Sequence, residues 1–297
     1  MDNITEKQNL KSNKIDISST LEILSIINQE DKKIAKVIQE ILPEITLVID
    51  CVVNNFKNGG RLFYFGCGTS GRLGVLDASE IPPTYSAPKG LFIGVIAGGE
   101  PALTNSIEGA EDKPEAALQD LQKYNINEND TLIGISCSGA ADYVVSALDH
   151  AKENGAKTIY LVTNPNPYKM TRVDMIIRAI TGPEVVTGST RMKAGTATKL
   201  ILNMISTATM IKLGKVYGNL MVDLMAVNDK LVDRGTRIIH EVTGIDYTQS
   251  GKLLTESGMS VKTGIVMGML DCSKAAAEQA LEEQDGFLHR VISNQDN

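Results

Sequence analysis

The chain has 297 residues, of which 42 % are hydrophobic and 22 % charged, with a net charge of −7. That is a globular composition with room for one sizeable α/β core and a small appendage. The acidic balance argues against a general nucleic-acid binder, and the absence of Trp with 4 % aromatics argues against a base-stacking or glycan platform.

The polar start, MDNITEKQNLKSNK, is the one stretch whose composition predicts disorder. Ser19 and Glu22 have capping-box spacing ahead of the periodic run LEILSIINQEDKKIAKVIQEIL, a helix that Pro43 interrupts. EITLVIDCVVNNFKN is a second amphipathic helix, ended by Gly59-Gly60. Five short apolar runs follow as strands: RLFYFG (61–66), LFIGVIAG (91–98), TLIGIS (131–136), KTIYLVT (157–163) and VDMIIRAI (173–180). Helical stretches lie between them, among them 70–79, stopped by Pro82-Pro83, and 141–153. Strands alternating with helices predict a doubly wound, five-stranded parallel sheet covered on both faces.

RMKAGTATKLILNMISTATMIKLG is a long helix, apolar nearly all round, which suits deep burial or a subunit interface. YTQSGKLLTES, SVKTGIVMGML and KAAAEQALEEQ form a small three-helix module. The expected division is an N-terminal helical segment (1–52), the sheet domain (53–216) and a C-terminal helical region (217–297). No apolar run reaches the ~18 residues of a membrane span and no leader is apparent. Four cysteines without a C-x-x-C pair then fit the reducing cytoplasm, and with three scattered histidines they offer no metal site.

Ligands of open α/β sheets sit beyond the carboxyl ends of the strands. Three turns there share a composition: Gly68-Thr69-Ser70-Gly71, Ser136-Cys137-Ser138-Gly139 and Gly188-Ser189-Thr190. Glycine permits close backbone approach, hydroxyls donate, and free N–H groups at a helix start favour an anion. Arg191 and Lys193, the cations beside the third turn, are expected to bind the phosphate with the residues of these turns. Gly66, Gly68 and Gly71 match the dinucleotide pattern, but the second strand ends at Glu100, 29 positions after Gly71, where an acid about 20 residues on is needed. No Gly-Lys-Ser/Thr follows either, so a small phosphate such as a sugar phosphate fits better than a nucleotide. Glu80, read as the C-terminal end of the 70–79 helix, would have its pKa raised by the helix dipole, the direction a general acid needs. Glu111 approaches the same strand ends from the next crossover; Glu100 and Glu108 are rivals, and solvated loop glutamates are the plain alternative.

GTSGRLGVLDASEIPPTY (68–85), IAGGE (96–100), IEGAED (107–112), GPEVVTGSTRMKAGTATK (182–199) and GKVYGNLMVD (214–223) resemble the sugar isomerase (SIS) superfamily, and within it the N-acetylmuramic acid 6-phosphate etherase family. The long 182–199 motif is similar to one shared with glucokinase regulatory proteins. The resemblance implies an SIS-type sheet and a lyase that removes D-lactate from C3 of N-acetylmuramic acid 6-phosphate, without metal or redox cofactor. It places Glu80 as the acid assisting lactate departure and Glu111 as the base at C2. It also implies a homodimer with each site completed by the neighbour. A non-catalytic sugar-phosphate sensor and a sugar-phosphate isomerase are the other readings. One departure stands out: where the family usually reads Ser-Gly-Arg-Thr-Pro-Tyr, this chain has Ser138-Gly139-Ala140-Ala141-Asp142-Tyr143. A cation and a hydroxyl are missing, and a negative charge is added.

Overall fold

The computed structural model describes residues 4–224, 226 and 228–293. Its contacts group into two compact units, residues 1–79 with 90–206 and residues 80–89 with 207–297. Residues 1–52, expected as a segment of their own, group with the sheet.

The first unit opens with three short 3-10 turns, Ile4–Glu6, Leu10–Ser12 and Ile15–Ile17. The expected disorder of this polar start is therefore corrected from Ile4 onward; residues 1–3 lie outside the described residues. The polar groups themselves provide the anchorage: Ser12 Oγ donates to Val185 O at 2.7 Å, Asn9 Nδ2 to Pro183 O at 3.3 Å, and Gly188 N to Thr5 O at 3.2 Å. Next come α1 (Thr20–Asp31), α2 (Ile34–Glu40) and α3 (Leu42–Lys57). The Ser19/Glu22 capping box forms, and Pro43 lies in the first turn of α3, where its missing N–H costs nothing.

Strands β1 (Leu62–Gly66), β2 (Phe92–Ile96), β3 (Thr131–Ile135), β4 (Lys157–Val162) and β5 (Met175–Arg178) pair in parallel in the order β2-β1-β3-β4-β5. Each coincides with one of the five apolar runs. Between and after them lie α4 (Gly68–Tyr85), α5 (Pro101–Thr104), α6 (Pro114–Gln122), α7 (Asp142–Glu153) and α8 (Lys193–Lys212). A core of Phe63, Phe65, Leu132, Tyr160 and Val162 from the sheet packs with Leu121, Val144, Ala147 and Leu148 from α6 and α7. At the strand starts, Asp130 accepts from Arg61 Nε at 3.0 Å, Nη2 at 2.7 Å and the Arg61 backbone N–H at 2.8 Å, fixing β1 against β3.

Helix α4 does not stop before Pro82-Pro83; it runs to Tyr85 and passes from the first unit to the second between Ser79 and Glu80. Proline has helical φ, and both prolines fall in the last turn, so only the bonds to Ala78 O and Ser79 O are forfeited. Upstream, buried Asp77 accepts from Tyr64 Oη at 3.0 Å, Asn203 Nδ2 at 2.7 Å and Ser206 Oγ at 3.0 Å, tying α4 to β1 and α8.

The second unit holds the end of α8, a small hairpin of β6 (Val216–Tyr217) and β7 (Leu220–Met221), and α9 (Asp229–Thr243). The expected three helices are α10 (Tyr247–Glu256), α11 (Val261–Leu270) and α12 (Lys274–Glu283), followed by α13 (Leu288–Ser293). Ile239, Leu254, Ile265, Val266, Ala277 and Leu288 form its core. Buried Lys262 donates to Gly214 O and Gly286 O, both at 2.9 Å, and pairs with Asp223 at 2.5 Å.

Candidate active site

The carboxyl ends of β1 and β3 open into a cavity of about 170 Å³ in the first unit. One residue, Cys67, separates β1 from α4. Gly68 has φ +51°, and a Cβ at Gly71 would lie 2.6 Å from both Gly66 O and Ile96 Cγ1. The three glycines that mimic a dinucleotide pattern thus let α4 start hard against β1 and β2. This puts Thr69 and Ser70, in the first turn of α4, on the cavity wall.

The β3 turn contributes Ser136 and Ser138. It is held by Gly139 N to Ser136 O at 3.1 Å, Thr163 N to Cys137 O at 3.0 Å, and Ala140 N to Ser138 Oγ at 3.3 Å. Gly139 has φ +75°, and a Cβ there would lie 2.2 Å from Pro167 Cβ, so the turn requires glycine. Thr190 completes a ring of five hydroxyls from three turns. Cys137 Sγ lies 3.6 Å from Ser70 Oγ. Burial raises the Cys137 thiol, and burial with the nearby Glu111 and Asp112 charges pushes Cys67 up to about 12. Both stay neutral at pH 7, adding no charge against an anion and no thiolate nucleophile.

Glu111 lines this cavity and also an adjoining one of about 190 Å³, which shares Cys67 and Gly68. It sits in a 3-10 turn, Ala110–Asp112, entered through Gly109 at φ +67°. Of its rivals, Glu108 lines the second cavity with its carboxylate held by Ser106 Oγ at 2.8 Å, while Glu100 is an exposed residue ahead of α5.

Other expected site residues are placed elsewhere. Glu80 is exposed on α4 as the first residue of the second unit, and it is absent from the walls of these two cavities. Because α4 continues to Tyr85, Glu80 is not at a helix end as expected, and the terminal dipole field, confined to the last turn, does not act on it. Gly71 and Gly139 serve turn geometry, and Ser189 shapes the turn before α8, accepting from Met192 N at 3.2 Å. Arg191 is exposed.

Lys193 is corrected. It is 1 % exposed, and its Nζ lies 2.8 Å from Glu30 Oε2, whose carboxylate also takes Lys33 and Asn9. Burial alone would raise the Glu30 carboxyl, but these donors outweigh it and lower it to about 2. The start of α8 is filled as well: Glu184 accepts the backbone N–H of Lys193 at 3.0 Å and of Ala194 at 2.9 Å. An internal carboxylate therefore occupies the helix start expected to hold a ligand. Asp142, the unusual charge after β3, opens α7 and forms an ion pair with Lys169, whose backbone N–H bonds to Gly139 O at 2.8 Å.

Arg72, which lies within GTSGRLGVLDASEIPPTY and has no spacing signal of its own, lines the second cavity. Its Nε donates to Leu103 O at 3.1 Å and its Nη2 to Asn105 O at 2.7 Å.

Residues 44–152 match the family model for the glucokinase regulatory protein N-terminal SIS domain, and residues 110–208 match the SIS domain model. The chain is 49 % identical over 289 residues to N-acetylmuramic acid 6-phosphate etherase 1 of Bacillus licheniformis, covering 97 % of this chain and 95 % of that one. It is 50 % identical over 293 residues to the N-acetylmuramic acid 6-phosphate etherase of Caldanaerobacter subterraneus subsp. tengcongensis, covering 99 % and 96 %. Among solved structures, a phosphoheptose isomerase from Francisella tularensis is similar with a TM-score of 0.50 at 18 % identity, covering 65 % of this chain and 100 % of that one. At that identity the likeness concerns the fold.

Proposed function

Because the chain belongs to the N-acetylmuramic acid 6-phosphate etherase family, we propose that it is a carbon–oxygen lyase that converts N-acetylmuramic acid 6-phosphate and water to N-acetylglucosamine 6-phosphate and D-lactate. The observation that carries this reading is Glu111 at the shared wall of two cavities, one of them ringed by hydroxyls from three turns. The hydroxyls and the N–H groups at the start of α4 suit a phosphate, and no thiolate opposes it.

In the open-chain sugar the C1 aldehyde acidifies the C2 proton. Glu111 removes it, the electron pair forms the C2–C3 double bond, and the C3–oxygen bond breaks. Glu80, assigned by the resemblance, protonates the departing lactate oxygen. Water then adds, its hydroxyl to C3 and a proton to C2. The Asp142–Lys169 pair supports retention of the phosphate site despite the altered turn, since the added negative charge has its own counterion. A homodimer with shared sites belongs to the same reading. No helix of the described residues is long and apolar enough to cross a membrane.

The test is D-lactate release without added metal or nucleotide; none from folded protein at saturating substrate would sink the reading. Glu111→Gln is expected to stop exchange of the C2 proton with solvent and to lower turnover by about 10²- to 10⁴-fold. Unchanged exchange would remove Glu111 from the role of base.

A further inference from the structure

The second cavity raises a question the phosphate does not answer. Arg72 is the one cation among the residues lining the two cavities. Among the described residues it has no carboxylate partner within ion-pair distance, although Glu108 and Glu111 line the same cavity. Its Nε and one Nη2 hydrogen are spent on Leu103 O and Asn105 O, which fix the plane of the guanidinium. Both Nη1 hydrogens and the second Nη2 hydrogen have no such use. A guanidinium oriented by carbonyls and lacking a counterion is prepared for a planar anion. The same cavity has an apolar side, made by Ala97, Ala102 and Ile107.

We propose that Arg72 binds the carboxylate of the lactyl arm, and that the cavity of Arg72, Ala102 and Ile107 distinguishes the ether substrate from the same sugar phosphate without that arm. The proposal rests on the etherase reading. The substrate carries two anions of different shape. The tetrahedral phosphate suits the ring of hydroxyls and helix-start N–H groups; the planar carboxylate, with a methyl group beside it, suits a fixed guanidinium next to an apolar wall. Glu111, shared by both cavities, then lies between the two anions, where the C2–C3 bond must be. Its charge and that of Glu108 oppose any anion in this cavity, so Arg72 also offsets them.

The experiment uses the full chain and its Arg72→Gln and Arg72→Lys variants. Binding of N-acetylglucosamine 6-phosphate and of N-acetylmuramic acid 6-phosphate is measured by calorimetry, the latter also in Glu111→Gln protein so that it is not consumed. Arg72→Gln is expected to weaken the lactyl-bearing ligand by roughly 10- to 100-fold and the other by less than about twofold, with Arg72→Lys between. Equal losses for both ligands would place the phosphate at Arg72 and overturn the assignment. Unchanged affinities for both would leave Arg72 as a clamp on residues 103–105 and overturn it too. If Arg72→Gln does not fold, Arg72→Lys, which keeps the charge but loses the fork, decides by the same ratio. The two readings are separable: absent D-lactate release by the unmodified chain strikes the etherase reading, while the ratio of affinities strikes Arg72.

Discussion

The starts of α4 and α8 have the same kind of sequence and opposite fates. Each has a glycine and small hydroxyl residues at or just before its first turn, and the first N–H groups of each have no acceptor within their own helix. At α4, Thr69 and Ser70 face a cavity. At α8, Glu184 takes the first two N–H groups, and the adjacent Lys193 ammonium is consumed by Glu30. Composition shows that a helix start wants an anion; it does not show whether the anion comes from the chain or from a ligand. The difference lies in a residue nine positions before Lys193 and another 163 positions before it.

The strongest way to break this comparison is Glu184→Ala. If Glu184 closes α8, the variant loses about 2–3 kcal/mol of stability, several degrees in melting temperature, and gains no affinity for phosphate. Tighter phosphate binding with an unchanged melting temperature would make α8 a ligand site after all. The second test uses pH. Glu30 is depressed from 4.5 to about 2 in the folded chain, so its contribution is complete above pH 4.5 and is lost as pH falls through about 2. We expect about 1–3 kcal/mol of acid-sensitive stability in that window, diminished in Glu30→Gln; identical acid unfolding curves would deny the Lys193 partnership its weight. Ser70→Ala sharpens the open side: about 1 kcal/mol of sugar-phosphate affinity, roughly fivefold, is expected to go, with no change in melting temperature. Asp142→Ala should do least. Its pair with Lys169 is partly exposed, so less than about 0.5 kcal/mol of stability and under twofold in KM are expected. A large rise in KM would mean that the altered turn bears on phosphate binding directly.

The five strands were legible because parallel strands covered on both faces must be apolar along their length, and LFYFG and TLIGI are buried throughout. The hydroxyl turns were legible because strand ends and turn residues are local signals. The end of α4 is not legible from Pro82-Pro83 alone, because proline's cost depends on its place within the helix, and both prolines lie in the last turn. Lys193 reads as a ligand cation because a lysine next to a hydroxyl-rich turn has the right charge, while its partner Glu30 sits on a helix distant in sequence. Arg72 is hidden in the sequence for the complementary reason. Its position two residues after Ser70 is local, but the carbonyls that orient it come from residues 103 and 105.

The passage of α4 across the boundary between Ser79 and Glu80 sets a limit on how this protein can be dissected. The chain leaves the first unit at Ser79, returns at Gly90 and leaves again within α8 after Ser206. Neither unit is a stretch that two cuts could excise with its helices whole. A fragment ending near residue 206 would carry the insert 80–89 without the chain that completes its unit, and α8 would be severed in mid-course. A shortened version that keeps the strand-end cavities is therefore not to be had by simple truncation. Its design would begin by replacing residues 80–89 with a new end for α4.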